Sequence, residues 1–233
     1  MGKSRQSNGG TPKGASDKSN DETYHTLAGK DVPTDGHTKE WMEKLEAKIT
    51  NWISYSQDIS PSEKLNGDEM EYILNHMVDI NDRDVPSGFL TRAENAAHIL
   101  PLIEGGGLKV GDKLPSSAIL RSYSRTQDAT YGFAHDRWTP TVIYRTKGNV
   151  KHFKATDFDD SLEFVEKESF IQQNNLKIEK ITRYNKNDYN DIDVITEKSP
   201  KFNKAIAKEL GLKGKNMSFN QDEIIIIDVS SPE

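Results

Sequence analysis

The feature that most limits what this chain can become is a change of texture at Pro86-Ser87-Gly88. Before it, apolar residues recur at helical spacing; after it, short apolar runs alternate with turn signals. Trp41, Leu45, Ile49 and Trp52 fall on one face of a helix expected from about Lys39 to Ser56. Ser60-Pro61 turns the chain, and Met70, Ile73, Leu74 and Met77 form a second helical stripe after Asp68. Beyond the break, strands are expected from Phe89 to Arg92, Ala118 to Tyr123, Thr141 to Arg145, Val150 to Ala155, Ser169 to Gln172, Leu176 to Tyr184 and Asp222 to Val229. Helices are expected from Asn95 to Glu104, ended by Gly105-Gly106-Gly107, and from Gln127 to His135. Asn174-Asn175 reads as a tight hairpin turn. The class that follows is α+β, with helices leading a mostly antiparallel sheet.

Met1 to Thr38 carries almost no apolar residues and reads as a flexible polar tail, leaving 39–233 as one folded domain with a helical lead (39–86) and a β-rich core (87–233). The formal charge of -6, from 31 basic and 37 acidic residues, comes without any long Lys/Arg run, so nucleic acid is not the expected partner. The absence of cysteine excludes disulfides, thiolate nucleophiles and cysteine-based zinc sites. The six histidines lack metal-ligand spacing, and no metal is expected. No apolar stretch approaches the ~20 residues of a membrane span, and the N-terminus lacks the apolar centre of a secretory signal, so a soluble, cytoplasmic protein is expected. Gly107 to Lys113 fails as a phosphate-binding loop, because Leu114 stands where Ser or Thr would bind magnesium.

Three polar elements remain, in a definite order. Arg92 ends Phe89-Leu90-Thr91-Arg92. Ser122 and Ser124 alternate in Leu120-Arg121-Ser122-Tyr123-Ser124, so a strand puts both on one face. Glu166 and Glu168 introduce the strand Ser169-Phe170-Ile171, where extended backbone aims both carboxylates the same way. Glu-x-Glu also occurs at Glu69-Met70-Glu71, inside an expected helix ahead of Arg92, so position rather than the tripeptide distinguishes the second pair.

The order Arg, Ser-x-Ser, Glu-x-Glu resembles the signature of the arginine-specific mono-ADP-ribosyltransferases, which include bacterial toxins, vertebrate ecto-enzymes and phage enzymes of the Alt/Mod type. The surroundings are similar too: Gly132-Phe133-Ala134 follows the Ser-x-Ser strand, and Thr141-Val142-Ile143-Tyr144-Arg145 precedes a loop with Ser161 and the Glu-x-Glu. The resemblance spans about Gly88 to Arg183. It departs from the family pattern at Tyr123, the middle of Ser-x-Ser, and at Ala93, beside Arg92.

The resemblance implies a two-sheet core of the ADP-ribosyltransferase kind, with NAD as substrate and an exposed arginine of a protein as acceptor. It makes Glu168 the carboxylate that stabilises the ribosyl cation left when nicotinamide departs, and Glu166 the one that holds the acceptor guanidinium. Ser122 would hydrogen-bond Glu168, Ser124 would support the pocket, Arg92 would grip the pyrophosphate, and Phe133 would lie near the nicotinamide. By the same analogy the chain is a phage enzyme or delivered effector acting on host transcription or translation proteins in the bacterial cytoplasm. Two alternatives stay open: an NAD glycohydrolase, and a binding protein that keeps the fold without the reaction.

Overall fold

Met42, Leu45 and Ile49 are buried along one face of a helix, α1 (Lys39–Tyr55), as the apolar spacing requires. The computed structural model describes residues 22–55, 65–80, 85, 87–116, 118–134, 140–147, 149–160, 168–189, 199–212 and 218–232, with the backbone alone at 52–55, 127 and 133. The Trp52 side chain and the turn expected at Ser60-Pro61 therefore lie outside the described residues. The second helix, α2 (Gly67–Asn75), starts ahead of Asp68 because Asn66 caps it: its side chain accepts the Glu69 N–H at 2.9 Å, and Glu69 accepts the Asn66 N–H at 2.8 Å. Glu69 also receives the Lys48 ammonium at 2.6 Å, so one glutamate of Glu69-Met70-Glu71 serves as cap and ion-pair partner.

A short antiparallel hairpin, β1 (Thr23–His25) and β2 (Asp31–Pro33), precedes both helices. The polar stretch expected to be flexible through Thr38 is thus built in from Thr23 onward. Its buried apolar residues, Tyr24 and Val32, pack among Met42, Leu45, Tyr72 and Phe158. Helices consequently do not lead the fold; α3 (Leu100–Glu104), α4 (Gln127–Ala134) and α5 (Pro200–Glu209) are interleaved with strands. The stretch expected as one helix from Asn95 divides into a 3-10 turn, Ala96–His98, and α3, which has proline in its first turn.

The other strands are β3 (Val78–Asp79), β4 (Thr91–Asn95), β5 (Leu120–Ser124), β6 (Thr141–Thr146), β7 (Lys151–Lys154), β8 (Glu168–Gln172), β9 (Lys177–Asn185) and β10 (Glu223–Ser230). They form an eight-stranded order β3-β7-β8-β5-β4-β6-β10-β9, antiparallel except for β6 with β10. Among the described residues its two four-stranded halves meet at one residue pair, Thr91 with Ser124. The run Ile224 to Ile227 in β10 is buried on both faces, as befits a strand flanked by β6 and β9.

Asn174-Asn175 does not close a hairpin. The turn Gln173–Asn175 carries the chain from one half of the sheet to the other, with β8 paired to β5 and β7, and β9 paired to β10. The strand after the turn is captured instead by the 111–114 segment, where Leu114 N–H bonds the Leu176 carbonyl and Ile178 N–H the Asp112 carbonyl.

Tyr123 and Ile171 from one half share a core cluster with Val142, Tyr144, Ile225 and Ile227 from the other, so the sheet curls and its inner face closes on itself. The outer face of the first half is covered by α1, α2 and the hairpin; that of the second half by α4 and α5.

Candidate active site

Register decides which polar side chains meet. Residues directly opposite in an antiparallel pair point to the same side, with Cβ atoms about 5 Å apart. Ser124 faces Glu168 across β5 and β8, and Ser122 faces Phe170. All four lie on the outer face, where Leu120 and Phe170 pack under α1 and α2. Ser122 is buried, while Ser124 and Glu168 remain partly open. The structure therefore brings Ser122, Ser124 and Glu168 together, with Ser124, rather than Ser122, directly across from the carboxylate. Glu166 and the Phe133 side chain lie outside the described residues.

The same row continues over the seam. Ser124 pairs with Thr91 of β4, Thr91 with Arg145 of β6, and Arg145 with Asp228 of β10. Thr91 is buried and shares a hydrogen bond with Thr130 of α4, which fixes that helix over the seam. Arg145 is committed elsewhere: Nε and Nη2 donate to the two Asp228 oxygens at 2.6 and 3.0 Å, and Nη1 donates to the Glu209 carbonyl at 2.5 Å. Ser124 Oγ donates to the Thr126 carbonyl at 2.9 Å and accepts the Thr126 N–H at 3.1 Å, turning the chain into α4. Arg125 follows, buried, with Nη2 donating to Thr156 Oγ1 at 2.6 Å.

Arg92 stands on the other side of the sheet. Opposite Tyr144, it points to the inner face; Nε donates to Glu94 at 3.0 Å and Nη1 to the Ser122 carbonyl at 3.0 Å. It thus touches the serine strand through its backbone and is not brought to the face that carries Glu168.

Glu94 and His98 were not singled out from sequence. The signal was the Arg92-x-Glu94 alternation, which puts both on one strand face, and the four-residue step to His98. His98 Nε2 lies 3.3 Å from Glu94 and 3.4 Å from the Tyr144 hydroxyl. Burial alone would raise the Glu94 carboxyl, but the His98 hydrogen bond and the Arg92 guanidinium hold it down to about 2. The Glu94 carboxylate in turn raises His98, against the effect of its burial. Burial pushes the Tyr123 and Tyr144 phenols up, so both stay protonated, and the contacts among Arg92, Glu94, His98 and Tyr144 make this inner cluster a polar brace.

No protein-family model and no curated protein matches the chain. Among solved structures it is similar to the ADP-ribosyltransferase Vis in complex with the M6 inhibitor, at 14% identity over 82% of this chain and 73% of that one, with a TM-score of 0.38. It is also similar to Vis in complex with agmatine, at 14% identity over 83% of this chain and 71% of that one, TM-score 0.35. The catalytic domain of VahC from Aeromonas hydrophila matches at 13% identity over 78% of this chain and 83% of that one, TM-score 0.32. These likenesses are distant, and the functional reading rests on the residues themselves. Among the described residues no helix is long and apolar enough to cross a membrane.

Proposed function

We propose that the chain is a protein mono-ADP-ribosyltransferase that uses NAD as substrate and transfers ADP-ribose to arginine. The observation that carries this reading is the pairing of Ser124 with Glu168 on a partly open face, with Ser122 one step along the same strand. In NAD the bond from the ribose anomeric carbon to the pyridinium nitrogen breaks with its electron pair, and nicotinamide leaves neutral. The remaining ribosyl cation needs a fixed negative charge, which Glu168 supplies; a carboxylate held by its strand does this without reorganisation. An acceptor guanidinium nitrogen then forms the new bond to carbon and gives up one proton. Glu166, two residues before Glu168, is the group assigned to hold that guanidinium and take the proton.

Arg92 enters this scheme as a clamp on the Ser122 backbone; for it to grip the pyrophosphate, its guanidinium would have to leave Glu94 and the Ser122 carbonyl. The acceptor is placed among bacterial cytoplasmic proteins, by analogy with phage and effector enzymes. Labelled NAD incubated with the protein and a bacterial lysate tests the reading, with label transfer and nicotinamide release followed together. Glu168→Gln should lose both, by about 100-fold or more. Glu166→Ala should lose transfer and keep release. Release without transfer in the wild type would make the chain an NAD glycohydrolase, and neither activity in a folded protein would leave a binding protein.

A further inference from the structure

The hairpin ahead of α1 is tied to the site by a chain of specific hydrogen bonds. Glu46 of α1 is buried, and its two oxygens accept the Tyr24 hydroxyl at 2.7 Å and the Leu27 N–H at 2.8 Å. A buried carboxylate is a costly way to fill space, so its use argues for the orientation it imposes. What it orients is the hairpin tip. From there the Ala28 N–H donates to the Phe158 carbonyl at 3.2 Å, and the Thr26 hydroxyl to the Asp157 carbonyl at 2.7 Å. These carbonyls belong to the last residue of the single 3-10 turn Ala155–Asp157 and to the residue that caps it. Arg125, the residue after Ser124, holds the same turn through Thr156. Phe158 seats it on Phe153, which packs on Phe170 of the Glu168 strand.

We infer that the hairpin tip is a positioning element for this site, with Thr26 and Glu46 as positioning residues that set how well the acceptor competes with water. The inference rests on the transferase reading. The turn is clasped between the end of the serine strand and the hairpin, on the outer face shared by Ser124 and Glu168. Loosening it disturbs the approach to Glu168 while leaving the Ser124 to Glu168 pairing in place.

The test compares the full chain with Thr26→Val, which keeps shape and removes the hydroxyl, Thr26→Ser, which keeps the hydroxyl, and Glu46→Gln. Nicotinamide release and ADP-ribose transfer to an arginine-containing peptide are measured together, with thermal midpoints. The expected result is a transfer-to-release ratio several-fold lower in Thr26→Val and Glu46→Gln, a KM for NAD close to wild type, and the ratio restored in Thr26→Ser. Where the wild type releases nicotinamide and transfers ADP-ribose, an unchanged ratio in Thr26→Val and Glu46→Gln overturns this role alone. So does a proportional loss of both activities that follows the thermal midpoint. A wild type that releases no nicotinamide overturns the transferase reading, and this role with it.

Discussion

Glu94 and Glu168 are carboxylates on opposite faces of one sheet, and their surroundings give them different work. Glu94, between Arg92 and His98, is a brace whose carboxyl is held down to about 2 from an ordinary 4.5. A carboxyl depressed by folding adds stability that is complete above its unfolded value and is lost as pH falls from about 4.5 toward 2. The shift corresponds to about 3 kcal/mol. His98, raised by folding, contributes below its ordinary 6.5 and loses that contribution as pH rises through its folded value. Glu94→Gln should therefore flatten the acid limb of a plot of urea midpoint against pH; an unchanged limb would show that the brace is not what acid disrupts. For Glu168, the register makes Ser124→Ala the serine change with the larger effect on nicotinamide release, ahead of Ser122→Ala. The reverse order would restore to Ser122 the role that the resemblance implies. The sequence made the shared face of Ser122, Ser124 and Glu168 legible through strand alternation. Which serine stands opposite the carboxylate was not legible, because register depends on pairing between segments more than 40 residues apart.

At the scale of elements, local patterns translated well and long-range partners did not. The stripes of α1 and α2 and the apolar run of β10 carried their own periodicity. Helix α5 was missed although Phe202, Ile206 and Leu210 recur every four residues, because charged and polar neighbours dilute the stripe. Its docking is electrostatic as well as apolar: Arg145 reaches from β6 to Asp228 of β10 and to Glu209 at the end of the helix. Arg145→Met would leave the buried Asp228 without its cation and should cost about 3 to 5 kcal/mol. Arg145→Lys should fall between, since one ammonium cannot reproduce the bidentate contact. Denaturant unfolding checks both, and a loss below 1 kcal/mol for Arg145→Met would show that apolar packing alone holds α5.

At the scale of the whole molecule, the two halves of the sheet share one backbone pair among the described residues, Thr91 with Ser124, while β9 and β10 pair along eight positions. Native-state hydrogen exchange should accordingly be faster at the amides of β4 and β5 beside the seam than at Ile224 to Ile227; equal protection would argue against a thin joint. Ladder hydrogen bonds cannot set the angle between the halves when so few cross from one to the other. That angle is governed by the bulk of the side chains wedged between them, among them Tyr123, Tyr144 and Ile227. The molecule can be pictured as an open book whose spine carries Ser124, with Glu168 one strand away. A change of volume deep between the pages, far from any substrate, would alter the angle at which β5 and β8 present Ser124 and Glu168 on the outside of the cover.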